Sequence, residues 1–441
     1  MRGRTIGGTP KIDLAVYVGC ALFAGATALW SEFYGYRVWG NFATIAYLLA
    51  AAHAAWLIIS PVPAIVAAGG GAVLRSRWAP IVLIVALGMV APLGLLVVRR
   101  LTGVDWLITP VSWAAQPEVW VIERSADLLL RTGTPYLDVT ALGRPAEVND
   151  YTPYGPAMTV FGLPRALLGG GPVGDALTDA RLMFAMATVL TVTLSLRLLR
   201  WPSVPVGAAQ LAIVCPLTAL NWAVAGPDLA ITGLVILACA LLVPRPTDTP
   251  ERPASTPRTL VWSAVVLAVT VSMKLTALPT LVVLGCFVLA TRGAAALGRY
   301  LGTFLIALVA VTLPIALVDP AAFVEHVIRF PIGLGVIDSP AGSALPGHLL
   351  ASTGPLGRVL ALALLGAAAL AITAWLVVRP PTTGSDAMLR IAVGLGTATV
   401  LMPASRWGYL VYPLALLGAM SCFSAAERTS RAHPDRRPAV R

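Results

Sequence analysis

Long apolar runs dominate the chain. They fall at 13–30, 42–60, 80–98, 181–199, 205–223, 227–244, 259–277, 279–291, 301–318, 357–378, 387–402 and 408–425. At about 1.5 Å of rise per residue, most match the helix length that crosses roughly 30 Å of hydrocarbon. The pattern predicts an all-α polytopic membrane protein with about 12 transmembrane helices. One more run, 155–168, is interrupted by Pro164 and Arg165. It is expected to be re-entrant or interfacial and not to cross.

Basic residues orient these helices, because cytoplasmic loops collect Lys and Arg. With Arg2, Arg4 and Lys11 in the cytoplasm, the cytoplasmic connections hold Arg75 and Arg77, Arg197 and Arg200, Arg245, Arg252 and Arg258, Arg292 and Arg299, and Arg379 and Arg390. The tail adds Arg428, Arg431, Arg436, Arg437 and Arg441. The alternation holds if 155–168 does not cross. Arg99 and Arg100 are the exception. No cleavable signal precedes the first run, which reads as a retained span. The expected organisation is a two-helix segment at 1–79, a membrane catalytic domain at 80–425 and a basic cytoplasmic tail at 426–441. Both termini then face the cytoplasm of a multi-pass inner (plasma) membrane protein. Two long loops, about 99–180 and 319–355, lie outside.

Composition agrees with a chain immersed in lipid. Hydrophobic residues make up 58% and charged residues 12% of the chain, against about 25% charged in soluble domains. The net charge of +11 is carried by residues flanking apolar runs, so no nucleic-acid partner is expected. The five cysteines all sit in apolar runs, with neither disulfide nor metal-ligand spacing. No metal and no cofactor is expected.

The unusual polar residues gather on the outer side. Glu118 begins PEVWVIERSADLLLRTGTPY, in which Val119, Ile122, Ala126, Leu129 and Leu130 recur at helical spacing. This reads as an amphipathic surface helix ended by Gly133 and Pro135. Tyr136 follows it. NDYTPYGP at 149–156 brings Asp150, Tyr151 and Tyr154. Asp179 and Arg181, Asp228, Lys274, Arg329, His348 and Arg406 complete the set. Each has a plainer reading: a helix cap, a local ion pair, a snorkelling lysine or an interfacial tyrosine. Ionisable groups at membrane depth are costly, and their collection on one side points to function. Arg181, Lys274, Arg329 and Arg406 suit a lipid phosphate, with Arg giving forked contacts and Lys a point charge. A nearby carboxylate suits a general base for a hydroxyl acceptor.

These residues and their order resemble the GT-C superfamily of membrane glycosyltransferases. The chain is most similar to the branch containing the bacterial polyprenol-phosphate-mannose-dependent α-mannosyltransferases. The carriers are the acid at Glu118 followed by GTPY, the YTPYGP turn, the DAR triplet, NWAVAGPDL, MKLTALP, RFPIGLG with ALPGH, and SRWGYLVYP. The resemblance implies inverting transfer of a sugar, mannose by preference, from a polyprenyl-phosphate donor to a lipid or glycan acceptor. It places the general base at Glu118, where the family usually has Asp, with Asp105 and Asp150 as alternatives. Donor-phosphate binding falls to Arg181, Lys274, Arg329 and Arg406. Tyr136, Tyr151, Tyr154, Asp179, Asp228 and His348 would bind substrate. Competing readings are a lipid-linked sugar flippase and a non-catalytic polyprenyl-lipid-binding membrane protein.

Overall fold

The structure is a computed structural model that describes residues 9–60, 75–102, 114–243, 257–337 and 340–432. Asp105, the first eight residues, 244–256 with Arg245 and Arg252, and the last nine residues lie outside these. The described chain is helical: α1 (Pro10–Trp30), α2 (Tyr34–Ile59), α3 (Ala79–Leu101), α4 (Pro117–Thr132), α5 (Ala180–Leu198), α6 (Val206–Ala212), α7 (Pro216–Val224), α8 (Pro227–Leu242), α9 (Pro257–Met273), α10 (Leu278–Arg292), α11 (Ala294–Ala316), α12 (Pro355–Val378), α13 (Gly384–Leu401) and α14 (Val411–Ala432). Proline opens α1, α4, α7, α8 and α12. Its fixed φ suits a first turn, whose N–H has no helical partner to lose.

The predicted all-α polytopic fold is observed, with a refinement of the span count. Among the described residues eight helices are long and apolar enough to cross a membrane. The pair α6 and α7, bent by 48°, makes nine if it forms one span. The other predicted runs form α8, α9 and α13. At 16 residues α8 rises about 24 Å, short of a full crossing. It is buried on nearly every face, as suits a helix apolar all round. It packs against α5, α9, α13 and α14. By contrast α12 turns Leu356, Val359, Leu370, Val377 and Val378 outward, as a lipid-facing helix does. The segment 155–168 is a 3-10 stretch, Pro156–Phe161, and a short helix, Leu163–Leu168, with no continuous span.

The N-terminal hairpin is part of the packed body. α1 and α2 touch so closely at Gly40 that a Cβ there would lie 2.6 Å from the Ala28 nitrogen. Only glycine permits that approach. One core joins α1, α2, α3 and α7, and Trp222 of α7 packs on both it and the larger core around α8. The indole of Trp39 donates to the Gly88 carbonyl at 3.0 Å, within a π-helical stretch of α3 at Ala86–Val90. A side-chain donor inserted into a helix ladder commonly accompanies such a bulge. At the far end Asp13 accepts from Arg77 at 2.6 and 2.7 Å and from Gln210 at 2.8 Å. That contact ties α1 to α3 and α6 through a fully answered carboxylate.

Two knots hold the long loops. In the first, Glu123 of α4 and Asp179 at the head of α5 both accept from Arg100. The arginine that broke the basic-residue pattern is therefore paired with two carboxylates. In the second, His326 joins the two loops. Its Nδ1 accepts from the Thr152 amide at 2.9 Å and its Nε2 contacts the Leu137 carbonyl at 2.8 Å. The ring lies between Tyr136 and Tyr151.

Burial is the main cause that holds His326 below the usual 6.5. Arg124 adds to this, and the Leu137 bond, Glu325 and Asp319 oppose it. A histidine depressed in the fold contributes its full stability above the unfolded value and loses it as pH falls below that value. Acidification from neutrality through the histidine range is expected to loosen the junction. Amide exchange at Thr152, corrected for intrinsic rate, should rise on acidification in the native protein, and this pH response should vanish in His326→Gln.

Candidate active site

Five of the predicted residues converge on one cluster at the ends of α8, α9 and α13 and the start of α4. Asp228 lies in the first turn of α8, and Lys274 immediately follows α9. Their side chains pair at 2.6 Å and each is 11% exposed. Tyr412 of α14 donates its hydroxyl to the same Asp228 oxygen at 2.5 Å. The Lys274 ammonium stands 4.5 Å from the ring centre of Tyr409, 5.7 Å from Tyr154 and 5.9 Å from Tyr412. Aromatic faces attract a cation, and more so away from water. The lysine thus sits in a cage of three rings with one carboxylate.

Tyr154 reaches this cage because of a glycine. The Gly155 amide donates to the Met273 carbonyl at 3.0 Å, and a Cβ at Gly155 would fall 2.0 Å from the Ser272 carbonyl oxygen. The YTPYGP turn can press onto the end of α9 only with glycine there. Tyr136 braces the turn by donating to the Tyr154 carbonyl at 3.1 Å. Burial raises the Tyr154 phenol well above its ordinary value, and Glu118 and Asp228 push it further. It is a neutral hydroxyl at physiological pH.

Glu118 and Arg406 form the second half of the cluster. Arg406 Nη1 donates to Glu118 Oε1 at 2.9 Å, with the side chains 36% and 25% exposed. The other carboxylate oxygen, Glu118 Oε2, is shielded from solvent and has no hydrogen-bond partner among the described residues. Buried carboxylate oxygens are usually satisfied, so this one stands out. Burial works to lower Arg406, but Glu118 together with Tyr409, Tyr154 and Tyr36 outweighs it and the guanidinium is held above its ordinary value. Tyr154 is within electrostatic range of both halves of the cluster. The second loop fixes the turn that carries Arg406: Ser343 donates to the Ser405 carbonyl at 2.9 Å, and His348 Nδ1 meets the Pro403 carbonyl at 2.9 Å.

Arg181, Asp150, Tyr151 and Arg329 have their partners outside this cluster. Arg181 is fully buried and its donors go to Asp179, Ala114 and Ala223. With Arg100 it holds Asp179 in the first knot. Asp150 is gripped by Arg144 at 2.7 and 2.8 Å and by the Glu147 amide, and the Arg144 bond holds its carboxyl below the usual range. Tyr151 stacks on Phe330 at 4.1 Å and donates to Glu325; burial raises its phenol to about 12. Arg329 is 55% exposed and contacts Leu334 and Glu325. His348 supports the Arg406 turn.

Sequence reasoning did not single out Tyr409 and Tyr412, although both stand in the quoted SRWGYLVYP. Their spacing of three on a helix start was the available signal. It also passed over Tyr36 of α2, which lies against the Gln116 side chain and in electrostatic range of Glu118 and Arg406. No local pattern marks a residue 82 positions away in sequence. No three His, Cys, Asp or Glu side chains gather as a metal-ligand set among the described residues.

No curated protein matches the chain in sequence. Among solved structures, the crystal structure of ArnT from Cupriavidus metallidurans in the apo state aligns over 72% of this chain with 18% identity and a TM-score of 0.43. The chain spans 56% of that protein's length. The model of glycosyltransferase family 87 matches residues 151–403, more than half of the sequence, and the protein belongs to that family of GT-C-type membrane glycosyltransferases.

Proposed function

We propose that this glycosyltransferase moves a sugar, mannose by preference, from a polyprenyl-phosphate donor to a lipid or glycan hydroxyl on the extracytoplasmic face, with inversion. The observation that carries the proposal is the unsatisfied Oε2 of Glu118 beside Arg406 and the Lys274 cage. The family match runs from residue 151 to 403, so it spans Tyr154, Asp228 and Lys274 but does not reach Glu118 or Arg406.

In this reading Glu118 Oε2 takes the proton of the acceptor hydroxyl. The acceptor oxygen bonds to the anomeric carbon as the bond from that carbon to the phosphate oxygen breaks. Polyprenyl phosphate departs with the electron pair. Arg406 answers the charge that grows on it, because its Nε and Nη2 hydrogen-bond to nothing among the described residues. Lys274 is already paired with Asp228 and contributes the remaining field of the cage. Preplaced charges of this kind stabilise a leaving phosphate without reorganising at the moment of reaction. Tyr136 braces the turn that carries Tyr154 to the cage, and Asp179 and Arg181 brace the loop behind them.

Purified protein given radiolabelled polyprenyl-phosphate mannose and membrane lipid acceptors is expected to form a labelled product. Absence of transfer from any lipid-phosphate sugar would remove the enzyme reading. Glu118→Gln keeps the size of the side chain and should reduce kcat by about 10²–10⁴-fold, the usual worth of a positioned base. Unchanged activity there would move the role to Asp105 or another acid. Arg406→Gln should cost about 10²–10³-fold in kcat, with the larger part recovered in Arg406→Lys if charge alone is needed. Sidedness follows from Thr140→Cys, an exposed position in the first loop. An impermeant thiol reagent should label it from outside intact cells, and labelling only from the cytoplasm would reverse the topology.

A further inference from the structure

A groove of about 450 Å³ opens on the side of α4 facing away from Glu118. Trp120, Glu123, Arg124 and Asp127 line it from α4, and Arg165 and Asp175 close it from the short helices that follow the YTPYGP turn. Its volume is within the range of small-molecule sites, about 300–1,000 Å³. None of these residues has a part in the proton or phosphate steps described above.

The rim is preorganised. Arg165 lies 3.3 Å from Glu123 and 3.4 Å from Asp175. Asp175 also accepts from the Gly170 amide at 3.0 Å, and Asp127 from Arg131 at 2.9 Å. One group is left incomplete. Arg124 donates to the Asp150 carbonyl at 3.0 Å, but its Nε is shielded from solvent with no partner among the described residues. Burial lowers its basicity, and the charge of Asp150 opposes this.

Charge decides which ligand the groove suits. Glu123, Asp127 and Asp175 of the lining are each answered by an arginine, Arg100, Arg131 and Arg165, so the groove offers no cluster of free cations to a phosphate or carboxylate. A neutral polyhydroxylated ligand needs none. Its hydroxyls can donate to Asp127 and Asp175, and its apolar face can cover the indole of Trp120. That combination of one aromatic face with fixed carboxylates is the chemistry of saccharide recognition.

We propose that this groove is a saccharide-binding site that holds a sugar of the acceptor at a distance from the reacting hydroxyl. Trp120 stands two residues beyond Glu118 and Asp127 nine, so the groove runs about 3–14 Å along α4 from the base. An acceptor glycan passing over the start of α4 reaches both. The role of that sugar as acceptor rests on the transferase reading above, whereas the groove's affinity for it does not.

The test separates the two. The full-length protein in nanodiscs is titrated with methyl α-mannoside, methyl α-glucoside and methyl α-arabinofuranoside, and binding is read by saturation-transfer NMR. At least one glycoside is expected to bind. Trp120→Ala and Asp127→Asn should each weaken it by about threefold to tenfold or more, and Trp120→Phe should retain most of it, which guards against a folding defect. Glu118→Gln should bind the glycoside as the native protein does while losing transfer. In transfer assays Trp120→Ala should raise KM for a glycan acceptor and leave KM for the lipid-phosphate donor unchanged. No glycoside binding by the native protein, or binding untouched by both Trp120→Ala and Asp127→Asn, would overturn the groove. Binding lost as expected alongside full activity of Glu118→Gln would keep the groove and overturn the base.

Discussion

The contact between Asp228 and Lys274 organises the end of the bundle where the site lies. A charge carried into a low-dielectric interior costs several kcal/mol unless it is paired and hydrogen-bonded. Here two helices too short to cross alone, α8 and α9, each bring one charge to the same depth. Neither charge is tolerable without the other. Their pairing fixes the register between α8 and α9, and the second hydrogen bond, from Tyr412, extends the constraint to α14. The rings of Tyr154, Tyr409 and Tyr412 then cover the ammonium. Three helices and one loop are held by a single cation.

Around that centre polar contacts tie the loops to the bundle and to each other. The Arg100–Glu123–Asp179 knot joins α3, α4 and the head of α5. The His326 junction joins the first loop to the second. A third set of contacts, through Ser343 and His348, holds the Arg406 turn. Each uses a buried or half-buried polar side chain with specific partners. Such contacts fix orientation more strictly than apolar packing, because a misplaced buried polar group loses its partner at a cost of about 1–3 kcal/mol. This suits a site in which Glu118 and Arg406, 288 residues apart in sequence, have to meet.

The N-terminal hairpin shares in this arrangement. It packs on α3 and α7 through a common core and brings Tyr36 beside Gln116, close to the Glu118–Arg406 pair. Helices that look additional by sequence thus form one wall next to the carboxylate. The same α4 helix presents Glu118 on one face and the Trp120 groove on another. A single amphipathic helix can do both because residues two positions apart point to nearly opposite sides.

The sequence by itself determined the class of the fold, the membrane setting and the amphipathic helix at Glu118. Each rests on local apolar patterning, which is written into consecutive residues: the run at 13–30 becomes α1, and PEVWVIERSADLLLRT becomes α4, ended by Gly133 in the left-handed conformation. It also named Glu118, Tyr154, Asp228, Lys274 and Arg406, because charged and aromatic residues at membrane depth are rare enough to be seen one at a time. Only the tertiary structure decided which of the predicted ionisable residues share a site. Arg181 and Asp150 look the same in sequence as Arg406 and Glu118, yet their hydrogen bonds are spent on Asp179, Arg144 and main-chain groups. Whether a charged group is already satisfied depends on partners far away in the chain, and local patterning carries no record of them.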